Sequence, residues 1–514
     1  MIRRKMNHLA CRQNIIAGSK IRDKKLFRIM VMASVLLCIG HLLLGSNLVV
    51  VAIAFIIMII GAVPIATTGF LRVGALLVLF VAFRYVDFAT IAKFMMLQPL
   101  DSNLHLPIEA FFAVLLGLTG YLIAFFVSSL EFVGKPLLKP ILKERQLLMI
   151  SIFSALIGSA SWVGKIKTVN SIASGVDLTY STTVYAFFTS FYLLAIIAAT
   201  AQTLVATNSR KSMSNWCAVL LFTQLIFAVI ANARMPIING FLAYVVTVIA
   251  FKGRIRWHYV AVATIVVACI LSFITPFMLY VRGFREDLSA WDRLVSTADT
   301  AASIVRNAEV FSDLRERMIQ HQSFLDYYGR SANVLERASL VEHVDIMIDG
   351  IDRVRINRIG LDSIKIGFSR IVPRFLNPQK DVGWSIGDWL YSEVGIPTVM
   401  GGFATVPLIA EGYASFGWLG TLIFPFFFAT PIFVIFKKIG WSLEHNIWAI
   451  YFLLRFHNLF VEGDSGAYLI TLFRFLPQDI LLILAINYTA SFLTRSPFKK
   501  KRTQVPIWFN PVMS

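Results

Sequence analysis

Guanidinium groups set at the edges of apolar segments, or inside them, are the chain's most telling chemistry. Arg84 with Asp87, Arg455 with His457 and Asn458, and Arg474 with Gln478 and Asp479 all fall in strongly apolar runs. Ionisable side chains are costly in a membrane interior, so each is a candidate for function. Arg234 stands in the short turn Asn232-Ala233-Arg234-Met235-Pro236, where the proline is suited to open the next helix and hold the guanidinium at the rim. Arg282 and Arg285 begin a long polar segment; Arg370, Arg374 and Lys380 lie near its end. A planar fork donating two parallel hydrogen bonds suits phosphate, and lysine adds a point charge. Brought together, these groups would clamp a diphosphate at a lipid surface. Plainer readings stay open. Arg84 and Asp87, three residues apart on one helical face, can neutralise each other; a rim arginine can snorkel; basic loops are drawn to anionic headgroups.

The motifs that are absent narrow the chemistry further. The sequence has no Walker-type phosphate loop, no His-Glu-x-x-His and no paired-cysteine metal site. No Asp-x-Asp triplet stands in an outer loop, and Gly45-Ser46-Asn47 is too short for an acidic catalytic patch. No metal site and no cofactor are expected, so any phosphate chemistry must draw its positive charge from arginine. Cys38, Cys217 and Cys269 lie in apolar runs, which argues against a disulfide framework. The net charge of +19 does not point to nucleic acid, because no basic patch interleaves aromatics with base-reading side chains.

The elements that position these residues follow from hydropathy. Of 514 residues, 57% are hydrophobic and 15% charged, and the mean hydropathy is +0.72. A soluble domain cannot hide that much apolar surface, so lipid is the solvent. Apolar runs predict about twelve transmembrane helices, at 27–44, 48–66, 73–92, 110–130, 147–163, 184–205, 216–231, 237–251, 258–280, 416–436, 447–461 and 467–493. The fold class is therefore all-α, a polytopic membrane protein with one large helical loop. Its organisation reads as a basic tail over 1–26, nine spans within 27–280 and the loop over 281–406. Three spans with a preceding motif follow within 407–493, and a second basic tail occupies 494–514. Basic residues recur in every second connection, among them Lys143, Arg145, Arg210, Lys211, Lys252, Lys437 and Lys438. By the positive-inside rule both termini are expected in the cytoplasm and the loop outside. Within the loop, Trp291 to Gln320 and Ser339 to Ile351 have helix-like apolar spacing, which predicts a helical cap on the outer face.

Taken in order, the motifs resemble the Wzy-type polymerases of oligosaccharide repeat units in bacterial envelopes. The matching pieces are Arg234, Arg282-Gly283, Pro373-Arg374 with Lys380, and Ala410-Glu411-Gly412-Tyr413-Ala414-Ser415-Phe416-Gly417, with a departure over Tyr391–Met400. The resemblance implies chain growth on undecaprenyl diphosphate in the bacterial inner membrane, serving O-antigen or capsule synthesis. A growing glycan would pass to the terminal sugar of an incoming lipid-linked repeat unit, with inversion and a diphosphate leaving group. It further implies Glu411 as the base, with Tyr413 and Arg234 beside it in the catalytic set. The clamp on diphosphate and glycan would be Arg84, Arg282, Arg285, Arg370, Arg374, Lys380, Arg455 and Arg474. The partners implied are the lipid-linked oligosaccharide, the bilayer and a chain-length regulator. Glu411 capping its own helix start is the plain alternative. An O-antigen ligase would share this layout; a lipid-linked sugar flippase would instead bury its charges at the bilayer middle.

Overall fold

The computed structural model describes residues 2–130, 137–138, 140, 143–173, 185, 187–231, 235–253, 327–328, 339–354, 359–372, 386–393 and 406–494. Side chains of 2–22, 166–173, Val354, Arg370 and Asp388 are not among those described. Within these limits the protein is all-helical, and its only β pairing is one isolated bridge between Arg72 and Ser442. The first helices are α1 (Ile2–Leu43), α2 (Leu48–Thr68), α3 (Val73–Ala82), α4 (Phe88–Met95), α5 (Pro107–Ser129) and α6 (Glu144–Ala173). Next come α7 (Phe191–Ala206), α8 (Asn215–Ile230) and α9 (Met235–Ala250), then three loop helices, α10 (Val341–Val354), α11 (Asp362–Ile371) and α12 (Ile386–Glu393). The last are α13 (Leu408–Gly440), α14 (Ile447–Glu462), α15 (Ser465–Ile470) and α16 (Leu476–Leu493). Five-residue π turns join α3 to α4 (Phe83–Asp87) and α15 to α16 (Thr471–Phe475).

Among the described residues, seven helical stretches are long and apolar enough to cross a membrane, against the twelve expected of the whole chain. The difference has a simple geometric cause. Helices α7, α8, α9 and α14 have 16 residues each, about 24 Å at 1.5 Å per residue, short of a hydrocarbon core of about 30 Å. The expected span 258–280 lies outside the described residues, as does the predicted loop helix at 291–320. The tail over 1–26 is helical from Ile2 and continuous with the first span.

The basic connections gather at one end of the bundle. There Lys437 Nζ donates to the carbonyls of Ser129 and Leu130 at 2.9 and 3.1 Å. Lys252 lies 3.9 Å from Glu444, and Val73 N–H bonds the Trp441 carbonyl at 3.1 Å. The loop helices pack at the opposite end, against α5, α13 and α15. Helix α10 is amphipathic as predicted for Ser339–Ile351: Val341, Val344, Met347 and Ile348 are buried while Asp352 and Arg353 are exposed. Its Asp345 caps α5 from outside, accepting the His105 and Leu106 N–H groups at 2.8 and 2.7 Å. That contact satisfies donors a helix start leaves free.

Small residues set how closely the core helices approach. Gly117 and Gly120 of α5 lie against Ile409 and the Leu422 backbone of α13, leaving no space for a methyl group. Helix α13 itself breaks at Phe416 and Gly417, whose φ of 62° and ψ of −144° suit only glycine. The first eight residues of α13, including Glu411, therefore run in a different direction from the long span that follows. The span expected to start at Phe416 thus begins at the break.

Candidate functional site

Helix α14 is surrounded by protein. Twelve of its sixteen residues are buried, and the four that are not are Arg455, Asn458, Leu459 and Glu462. Their spacing of three, four and seven places them on one stripe of the helix. This half-open stripe, termed the cleft, carries Arg, Asn, Leu and Glu on a helix otherwise buried. Asn458 Oδ1 is buried there without a hydrogen-bond partner among the described residues.

At the loop end of this stripe Arg84 Nη2 meets Glu462 Oε1 at 2.6 Å, with both side chains partly exposed. This replaces the expected neutralisation by Asp87, whose Oδ1 is buried with no hydrogen-bond partner among the described residues. The π turn explains the miss. With i→i+5 bonding the helix widens, and residues three apart no longer stack on one face. The same turn receives the loop. Leu340 N–H bonds the Arg84 carbonyl at 3.0 Å and Ser339 Oγ bonds the Tyr85 carbonyl at 3.0 Å. Tyr85 in turn donates to the Val461 carbonyl at 3.1 Å, fixing the turn against α14.

Deeper along the stripe, Arg455 Nε stands 3.6 Å from Asp479 Oδ2. Asp479 is fully enclosed and accepts the Tyr451 hydroxyl at 3.0 Å; that hydroxyl also meets Ser190 Oγ at 3.1 Å. The Arg455 guanidinium lies over the rings of Phe187, Phe456 and Phe475. Arg474, in the second π turn, approaches the same Phe475 ring, its guanidinium 5.8 Å from the ring centre. The structure thus pairs Arg455 with Asp479 across two expected spans and sets Arg474 against a ring that Arg455 also approaches.

Glu411, the base that the resemblance implies, lies away from solvent. It is fully buried. One carboxylate oxygen accepts Ser465 N–H at 2.7 Å and the other accepts the Ser465 hydroxyl. It caps a helix start, but that of α15 instead of its own, while Asp464 caps the same helix through Ala467 N–H at 2.7 Å. Leu408 N–H bonds the Gly463 carbonyl at 3.0 Å, so two contacts tie the head of α13 to the α14–α15 turn. Tyr413 is buried beside Trp418 and directs its hydroxyl to Asp352 of α10, a long contact of 3.5 Å. Ile359 N–H bonds the Ala414 carbonyl at 3.2 Å, and Gly367 of α11 packs against Gly466 of α15. The loop helices therefore roof the motif Glu411–Gly417. Within the roof the Tyr391 hydroxyl meets His343 Nδ1 at 2.7 Å.

No family model matches this chain, and neither a curated protein nor a solved structure is similar to it.

Arg234, Arg282, Arg285, Arg374 and Lys380 lie outside the described residues, and of Arg370 only the helical backbone is described. Among the described residues no three His, Cys, Asp or Glu side chains come together as a metal cage. The sequence reading missed Glu462, Asp352, Tyr451, Ser190 and Ser465. Glu462 carried a usable signal, standing four residues after Asn458 and seven after Arg455 on one face. Ser190, Asp352 and Ser465 carried none, since each meets its partner across more than fifty residues of chain.

Proposed function

We propose that this chain is a membrane glycosyltransferase that polymerises lipid-diphosphate-linked oligosaccharide repeat units, of the Wzy type. The observation that supports it most is the polar stripe of α14, an arginine-bearing cleft within an apolar bundle, roofed by loop helices at one end. Such a cleft admits a lipid-borne anion from the bilayer side and a glycan from beneath the roof. In this reading Arg84 joins Arg234, Arg282, Arg285, Arg370, Arg374 and Lys380 to attract the diphosphate and hold the charge that develops as it leaves. The acceptor hydroxyl oxygen attacks the anomeric carbon as the bond from that carbon to the diphosphate oxygen breaks. The electron pair departs with the diphosphate, and the hydroxyl proton passes to a carboxylate. We assign that carboxylate to Asp352, which is exposed and beside the Tyr413 hydroxyl. Glu411, enclosed and doubly bonded to Ser465, holds the α13 head in place. The reading sets the protein in a bacterial inner membrane with cytoplasmic termini, an outer loop and a chain-length regulator as partner.

The test is a deletion strain examined for its surface glycan, followed by the purified protein supplied with synthetic lipid-linked repeat units. Single repeat units on the core and polymer formed in vitro are the expected results. Absence of any attached repeat unit would identify a ligase instead, and an unchanged length profile would refute both.

A further inference from the structure

The inner part of the cleft holds more positive charge than its described surroundings balance. Arg455 has one acid within ion-pair distance, Asp479, and Arg474 has none among the described residues. The Nε atoms of both arginines are buried without a hydrogen-bond partner among the described residues. The carboxylate of Asp479 is itself committed, one oxygen to Tyr451 and the other facing Arg455. A guanidinium left uncompensated among apolar groups is costly, and two against one ring more so. An anion drawn to the Phe475 ring that both guanidinium groups approach removes that cost.

We propose that Arg455 and Arg474 form an interior seat for the phosphate headgroup of a lipid, with Asp479, Tyr451 and Ser190 as the brace that aims Arg455. The surroundings specify a lipid-borne phosphate over a free one. Arg455 is the ninth residue of α14, about 12 Å along the helix from its start. The aromatic rings of Phe187, Phe456 and Phe475 flank it, with Phe187 and Phe475 stacked at 5.9 Å. A hydrated inorganic ion gains nothing from such walls, whereas a headgroup carried on a hydrocarbon chain covers them. Arg455 is a fork whose outer nitrogens remain free of the aspartate, and its side chain is 20% exposed, which suits bidentate contact with phosphate oxygens.

This seat lies seven residues, about 10 Å, from Glu462 along α14, and so is separate from the Arg84 end. A reaction joining two lipid-linked substrates has two diphosphates present at once, and the cleft then offers a seat for each. That correspondence rests on the polymerase reading; the interior seat does not.

Calorimetric titration of the purified full chain with farnesyl diphosphate, a soluble prenyl diphosphate, tests the seat. Arg474→Gln is expected to remove one equivalent of bound ligand or weaken it at least tenfold. The pair Arg455→Gln with Asp479→Asn is expected to do the same; it leaves no lone buried charge and so preserves the fold where Arg455→Gln alone fails. Inorganic diphosphate is expected to bind the same seat at least tenfold more weakly. Wild-type stoichiometry and affinity in both well-folded variants would overturn the seat, and equal affinity for the inorganic ion would overturn its lipid source. Loss of this equivalent in a protein that forms no polymer would sink the polymerase reading alone.

Discussion

Replacing Glu411 separates its two possible roles, because structural and catalytic carboxylates respond oppositely to amide substitution. The side chain is fully enclosed and accepts two hydrogen bonds from Ser465, the first residue of α15. Glu411→Ala leaves the Ser465 N–H and hydroxyl unsatisfied in an apolar interior, at about 1–3 kcal/mol for each. A small cavity adds to that loss, so about 3–6 kcal/mol is expected, enough to unfasten the head of α13 from the α14–α15 turn. Glu411→Gln keeps the shape and one acceptor oxygen but turns an NH2 toward a donor, costing about 1–3 kcal/mol. The assay is thermal unfolding of the purified variants in detergent, paired with glycan length profiles in complemented cells. A brace predicts a large fall in melting temperature for Ala, a smaller one for Gln, and polymer still made by Gln at permissive temperature. A base predicts a well-folded Gln variant that makes no polymer. An Ala variant that melts with the wild type would refute the brace outright.

Three other perturbations follow from the geometry. In the Arg84–Glu462 pair, Glu462→Gln is expected to strengthen prenyl diphosphate binding by freeing the guanidinium, and Arg84→Gln to weaken it. The double-mutant cycle should give a coupling of only about 1 kcal/mol, since both side chains are partly exposed. Gly417→Ala forces a side chain into a backbone region reserved for glycine, at about 1–3 kcal/mol. Gly420→Ala sets a methyl against the Gly412 carbonyl, with a similar penalty; accelerated proteolysis at the α13 break would report either. Burial raises the Asp345 carboxyl above its ordinary pKa, against the pull of the His105 and Leu106 N–H groups. The folded state therefore binds more protons than the unfolded one between the ordinary and the raised value, and stability falls as pH rises through that window. Asp345→Asn should flatten that slope in melting temperatures recorded from roughly pH 4 to 7.

Hydropathy and charge made the helical class readable, together with the gathering of basic connections at one end, because both are averages over many residues. The amphipathic α10 was legible for the same reason: its apolar spacing repeats over four turns. Individual partners were not. The sequence paired Arg84 with Asp87 because α-helical spacing stacks residues three apart, and nothing in Phe83-Arg84-Tyr85-Val86-Asp87 announces a π turn. Glu411 was legible as a residue of consequence at a helix start, yet its partner lies 54 residues on, at a helix start that only tertiary packing brings near. The stripe on α14 shows the opposite case. Arg455, Asn458 and Glu462 share a face by simple counting, but only burial of twelve of the remaining thirteen residues sets that face apart.

The two π turns give the arginines a common explanation. Arg84 and Arg474 each sit in a five-residue π turn within an otherwise α-helical span, and each turn places its arginine toward the cleft region of the bundle. An α-helix repeats every 3.6 residues, so a polar residue added to an apolar span would ordinarily displace the packing of everything beyond it. A π turn absorbs one extra residue locally, and the helices on either side keep their apolar registers. Around Phe83–Asp87 the widened turn also offers the Arg84 and Tyr85 carbonyls to Leu340 and Ser339, so the disturbance that aims the guanidinium is what seats the loop. Roof and cation are therefore coupled through one turn of backbone, and a ligand that shifts Arg84 acts on the loop without any longer path.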